Sequence, residues 1–197
     1  INMAGIKAIC DGKTKYTPAA GIIPLRKAIA QRLKEDCGVD YDYTQIVVAS
    51  GAKHSVYIAL AAITNPGDEI IIPAPFWVSY YEMVRMVGGT PIIVEAGEKQ
   101  NFKITAEQLE AAITDKTKCL MLNNPSNPTG MIYSKDELSA IADVCVKHDL
   151  YILADEIYYQ LIYDGIEFTS IASLGEDVKE RTLLINGVSK SYAMTGW

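Results

Sequence analysis

From Gln45 onward, short apolar runs alternate with longer stretches whose apolar residues recur every three to four positions. The short runs QIVVAS, EIIIPA, TPIIVEA, KCLMLNN, YILADE and RTLLING read as strands. Between them, Lys53–Thr64, Trp77–Val87, Ala106–Ile113 and Lys135–His148 carry helical spacing, and Ile23–Asp36 carries it ahead of the first strand. Asn65-Pro66-Gly67-Asp68, Gly88-Gly89 and Asn127-Pro128-Thr129-Gly130 supply the turns. The loop DGKTKYTPAAG is too rich in Gly, Thr and Pro for regular structure. Strand and helix in alternation predict an α/β fold of three layers, α/β/α, around a mostly parallel sheet.

Composition narrows the picture. The chain has 197 residues, the size of one ordinary domain, and 49% of them are hydrophobic, enough for a sizeable core. A net charge of -6 argues against a surface that binds polyanions, so nucleic acid is not expected as a partner. The four cysteines, Cys10, Cys37, Cys119 and Cys145, form no CxxC pair and have no histidine at ligand spacing, so no metal site is expected. No apolar run approaches the roughly 20 residues of a membrane-spanning helix, and no signal architecture opens the chain. A cytoplasmic protein without a membrane partner is the expectation.

In open parallel sheets, ligands bind beyond the carboxyl ends of the strands. There the chain places Gly51, Ala52 and Lys53 after IVVAS, Asn127 after CLMLNN, Asp155 in ILADE with Tyr158 one turn on, and Lys190 after LLING. A Walker A loop needs Gly before the lysine, where this chain has Ser189; a G-x-G-x-x-G fingerprint is absent. Gly187-Val188-Ser189-Lys190-Ser191 nearly forms a nucleophile elbow, but His54 and His148 both precede it, against the usual order. Lysine chemistry remains: an amine that can condense with a carbonyl, a carboxylate suited to a protonated pyridine nitrogen, and a helix start suited to phosphate.

The stretches ASGAKHSVYIAL, PAPFWVSYYEMV, NNPSNPTG, LADEIYYQLIYDG and NGVSKSYAMTGW, in this order and spacing, resemble the large domain of class I aminotransferases of pyridoxal-phosphate fold type I. The resemblance looks closest to the bacterial-type aspartate aminotransferases. It implies that Lys190 carries pyridoxal 5'-phosphate and moves the substrate's α-proton, and that Asp155 pairs with the pyridine nitrogen. It further implies that Asn127 and Tyr158 bond the phenolic oxygen, that Asn127 also seats the substrate carboxylate, and that Trp77 stacks on the ring and touches substrate. Gly51, Ala52 and Lys53 are then expected at the phosphate, and Tyr16 at the phosphate of a neighbouring subunit's site, which makes the protein a homodimer.

The same resemblance implies transfer of an amino group from an amino acid, aspartate foremost, to 2-oxoglutarate. The alternatives are a fold type I β-lyase, or the ligand-sensing aminotransferase-like domain of a transcriptional regulator. It divides the chain into residues 1–44, helices and a loop leading in, and residues 45–197, the cofactor-binding core, with the small C-terminal domain absent. Gly187 stands where some members of the wider family place a phosphate-binding serine. The family pattern continues past Trp197 with a phosphate-binding arginine, and the segment after the lysine is expected to turn back as an antiparallel strand between QIVVAS and RTLLING. The segment alone is therefore expected to be an incomplete fold and inactive.

Overall fold

The computed structural model describes residues 1–197. In chain order its elements are α1 (Asn2–Cys10), α2 (Ile23–Cys37), α3 (Ala52–Ile63), β1 (Glu69–Ala74), α4 (Ser79–Met86), β2 (Thr90–Glu95), α5 (Ala106–Ala112), β3 (Thr117–Asn123), α6 (Lys135–Lys147), β4 (Tyr151–Asp155), α7 (Glu176–Glu180) and β5 (Thr182–Ile185). The five strands form one sheet in the order β2-β1-β3-β4-β5, and every pairing is parallel.

Side chains alternate across the sheet, as the pleat requires, and both faces are covered. Ile71, Leu120, Leu122, Ile152 and Ala154 point to the side of α5, α6 and α7, where Leu109, Leu138, Ile141 and Val178 meet them. Ile70, Ile72, Cys119, Met121, Leu153 and Ile185 point to the other side, against Val56 and Leu60 of α3 and Tyr80, Met83 and Val84 of α4. A third cluster joins Leu33 and Cys37 of α2 to Val39, Ile46 and Ala172. Helix starts are well specified on the first of these sides: Thr105 and Ser134 form capping boxes with Gln108 and Glu137 at the heads of α5 and α6.

One expected strand fails. Tyr43–Gln45 form a 3-10 turn, and the following IVVAS does not join the sheet. Its backbone bonds elsewhere: Val48 N–H donates to Ala20 O at 3.0 Å, and the Arg26 guanidinium donates to the carbonyls of Ile46 (2.9 Å) and Thr44 (3.2 Å). A strand exists only beside another, and β5, the outermost strand on this side, pairs with β4 alone. Helix α1 and the short α7 were not legible from spacing; the loop DGKTKYTPAAG is irregular, as its composition predicts. No helix is long and apolar enough to cross a membrane.

Candidate active site

Register places the first two site residues. β3 and β4 run side by side so that Asn123 and Asp155 share a rung, and Asp155 in turn lies opposite Ile185 of β5. Their side chains therefore emerge at the carboxyl edge of the sheet, close to where the order turns between β1 and β3. The Asn123 amide donates to Asp155 O at 2.8 Å, and its Oδ1 accepts from the Asn127 N–H at 2.7 Å. One asparagine thus ties the end of β4 to the turn that carries Asn127.

Asp155 is 3% exposed, and burial raises its carboxyl above the ordinary value. Two donors offset that cost in part: Tyr80 OH at 2.6 Å on one oxygen and Ile157 N–H at 3.2 Å on the other. The result is a carboxylate aimed out of the sheet and short of a cation. Tyr80 also meets Trp77 edge to face, with ring centroids 5.4 Å apart, and the Lys53 ammonium lies 4.9 Å from the Trp77 ring. These contacts link the start of α3 to α4 and to the end of β4.

On the other side of Asp155, the Asn127 amide reaches the Tyr158 hydroxyl at 3.4 Å, and Lys190 Nζ lies 5.9 Å from the centre of the Tyr158 ring. Lys190 is exposed, in the loop after β5. A side chain at 187 would bring its Cβ to 3.0 Å from Ile157 Cδ1, so the glycine lets this loop lie close to the turn after Asp155. Gly51 opens α3 at φ 81, a backbone that favours glycine, and offers no side-chain cap. His54 and Ser55 N–H bond back to Gly51 O, at 3.1 and 3.2 Å, while the N–H groups of Ala52 and Lys53 point off the helix start. The contacts run without a break from Lys53 through Trp77, Tyr80, Asp155, Asn123, Asn127 and Tyr158 to Lys190. Tyr16 stands apart, wholly exposed in the loop between α1 and α2.

The profile of the family described as aminotransferase class I and II matches residues 3–197. The chain belongs to that family. It is 49% identical over 194 residues to an aspartate aminotransferase of Bacillus subtilis (strain 168), covering 98% of this chain and 49% of the relative. It is 50% identical over 198 aligned residues to an asparagine–oxo-acid transaminase of Streptococcus mutans, covering 100% of this chain and 50% of that one. The crystal structure of an aspartate aminotransferase from Rhizobium meliloti superposes with a TM-score of 0.97 at 42% identity, covering 100% of this chain and 49% of that one. The chain thus spans about half the length of the curated relatives it matches.

The contacts bring Lys190, Asp155 and the start of α3 into one connected set at the carboxyl edge of the sheet. Two members of the set escaped reading from sequence: Tyr80 and Asn123, which hold Asp155 and Asn127 without being expected there. Tyr80 lies one helical turn beyond Trp77, and that shared face was the available signal. Asn123 sits in NNPSNPTG, where Asn127 drew the attention.

Proposed function

We propose that these residues are the cofactor-binding part of an enzyme that carries pyridoxal phosphate on Lys190 and moves an amino group from an amino acid to a 2-oxo acid. The observation that carries this reading is the unbroken set of contacts from Asp155 through Asn123, Asn127 and Tyr158 to Lys190, at the ends of adjacent parallel strands. The relatives' names, which are those of transaminases, support amino transfer over a β-lyase or a ligand-sensing role. Aspartate as donor and 2-oxoglutarate as acceptor is the preferred pair. Relatives named for aspartate and for asparagine stand at 49% and 50% identity, so identity alone does not choose the donor.

The residues present fit that cofactor on their own chemistry. Asp155, buried and short of a cation, suits a ring nitrogen that holds a proton. The N–H groups of Ala52 and Lys53 suit a phosphate, whose charge the start of α3 also favours. When bound, pyridoxal phosphate supplies a carbonyl that condenses with amines and a ring that withdraws electrons from the α-carbon.

Asp155 then orients the ring and holds the proton on its nitrogen. Tyr158 and Asn127 would hold its phenolic oxygen, and Asn127 would also seat the substrate carboxylate. Trp77, half-buried beside Tyr80, covers one ring face and excludes water from it. Lys190 would take the proton from the substrate's Cα through Nζ. Gly51, Ala52 and Lys53 grip the phosphate, chiefly through backbone N–H groups.

In this reading residues 45–197 form the cofactor-binding core and residues 1–44 lead into it. The enzyme is a homodimer in which Tyr16, exposed on its loop, reaches the partner's phosphate. The cytoplasm is the proposed compartment, in keeping with four unpaired cysteines, and cell fractionation checks it.

The deciding experiment loads the full-length protein with pyridoxal phosphate, reduces it with borohydride and maps the labelled peptide. Label on Lys190 is expected; label on Lys53 or Lys135 instead would sink the assignment. A screen of amino donors on the same protein then tests aspartate, which should turn over with the highest kcat/KM. For the dimer, mixed Tyr16→Phe and Lys190→Ala subunits should regain activity above either parent, since each mixed pair keeps one intact site. No gain despite proven subunit exchange would remove Tyr16 from the shared site.

A further inference from the structure

Tyr158 and Tyr159 are neighbours in the turn after β4, and their hydroxyls go to different places. Tyr158 faces Asn127 and Lys190, as described. Tyr159 OH donates instead to Asp36 Oδ2 at 2.7 Å, a contact that spans 123 residues of sequence. Asp36 lies near the end of α2, with its side chain 16% exposed.

The same carboxylate takes the Arg32 guanidinium on both oxygens, at 2.7 and 2.8 Å, and the Gln160 amide at 3.3 Å. That amide also donates to Tyr192 OH at 3.4 Å. Tyr192 belongs to the Lys190 loop, which is wound into a turn by Tyr192 N–H on Val188 O (3.2 Å) and Ala193 N–H on Lys190 O (3.3 Å). Charge-assisted hydrogen bonds of this kind are about twice as strong as neutral ones.

Asp36 therefore holds the outer side of both segments whose inner side carries the chemistry. The turn bearing Tyr158 is itself stiff, with Tyr159 N–H on Glu156 O at 3.0 Å and Leu161 N–H on Tyr158 O at 2.8 Å, so fixing Tyr159 fixes Tyr158. The Tyr159 ring is seated beside Phe168, centroids 6.1 Å apart, in the cluster that includes Leu33 and Cys37 of α2. Burial and the Asp36 carboxylate both push the Tyr159 hydroxyl well up, so it stays protonated and a donor at neutral pH.

We infer that Asp36 is a positioning residue for amino transfer: by anchoring Tyr159 and Gln160, and through Gln160 the Tyr192 hydroxyl, it sets how Lys190 faces Tyr158. The inference rests on the proposed function above. Its physical basis is that a small misplacement of a reacting group, caused from a distance, lowers the rate without changing what binds.

The test uses the full-length protein loaded with pyridoxal phosphate. Asp36→Ala is expected to lower kcat for amino transfer about 10-fold while KM for the amino acid stays within about two-fold. It is also expected to shift the pH at which the absorbance of the bound cofactor changes, because that absorbance reports the surroundings of Lys190. Asp36→Asn, which keeps an acceptor for the Tyr159 hydroxyl, should recover most of both effects. Glu35→Ala, next to Asp36 on α2 but bonded only to Gln31 and Arg32, should leave both at the parent's values.

Where Asp36→Ala folds poorly, Tyr159→Phe removes the hydroxyl, keeps the ring and gives the same two readouts. An Asp36→Ala protein with the parent's kcat and spectral pH profile overturns the inference alone. So does a loss that follows only a lowered Tm and vanishes when the assay is cooled. A parent protein that takes up no cofactor overturns the functional reading, and this inference with it.

Discussion

The sheet and the N-terminal layer are both rich in apolar residues, but they spend them differently. Ile70, Ile71, Ile72, Leu120, Ile152 and Leu153 are all 0% exposed, each locked between the strands and a helical layer. In α1 nothing is buried: Ile6, Ile9 and Met3 remain 53%, 69% and 75% exposed. Helix α2 buries only Leu33 and Cys37 and is joined to its surroundings largely by Arg26 and Asp36. The site accordingly has two kinds of support. Ladder register holds Asn123 and Asp155, whereas polar side-chain bonds hold what the N-terminal layer contributes.

Paired truncations are the most direct way to break that contrast. Leu120→Ala should destabilise the full-length protein by about 2–5 kcal/mol, and Ile6→Ala by less than about 0.5 kcal/mol, as measured by urea denaturation. Similar losses at the two positions would mean that α1 is as firmly packed as β3.

A second test addresses the seam between the two regions. Glu156, 1% exposed, accepts from Ser170 OH at 3.0 Å and Ile171 N–H at 3.1 Å on one oxygen, while its other oxygen has no partner. Burial pushes this carboxyl up to about 8, with the neighbouring Asp155 adding to the shift. A group raised on folding stabilises fully below its unfolded value, here near 4.5, and loses that contribution as pH rises through the folded one. Stability of the parent should therefore fall between about pH 4.5 and about pH 8, and Glu156→Gln should flatten the slope across this window. Chemical denaturation at several pH values checks it; equal slopes in the two proteins would show that Glu156 is charged throughout.

The smallest effect expected is at a helix start. Ser134→Ala removes the cap of α6 and should cost about 1 kcal/mol in the same denaturation assay. Helices α1 and α2 have no side-chain cap to lose, which sharpens the contrast from the other direction.

Much of this was legible from residue order. β1 to β5, α2 to α6 and their turns follow from period and punctuation, since each buried run must meet a covering helix. QIVVAS was misread because an apolar run records burial, not the presence of a neighbour, and Ile46 finds its burial against α2 and not in a ladder. Helix α1 has no side-chain cap and no buried residue, and the ring that lies against its Gly5 comes from the far end of the chain, Trp197. In the site, Lys190, Asp155, Asn127 and Tyr158 stood out by their places at strand ends and by family motif. Tyr80, Asn123 and Asp36 did not, because their importance lies in pairings 75, 32 and 123 residues away that no local pattern announces.

The rungs that place Asn123 opposite Asp155, and Asp155 opposite Ile185, also govern how such a molecule can change over generations. An insertion in the exposed stretch around Tyr163 adds bulk at the periphery and leaves the rungs in place. An insertion inside β3 or β4 moves one strand tip by about 3.3 Å and turns its side chain to the opposite face, taking Asn123 or Asp155 out of the site in a single step. Lineages can therefore lengthen, trim or redecorate such exposed loops freely, while the strand tips act as a fixed gauge that tolerates substitution more readily than any change of length.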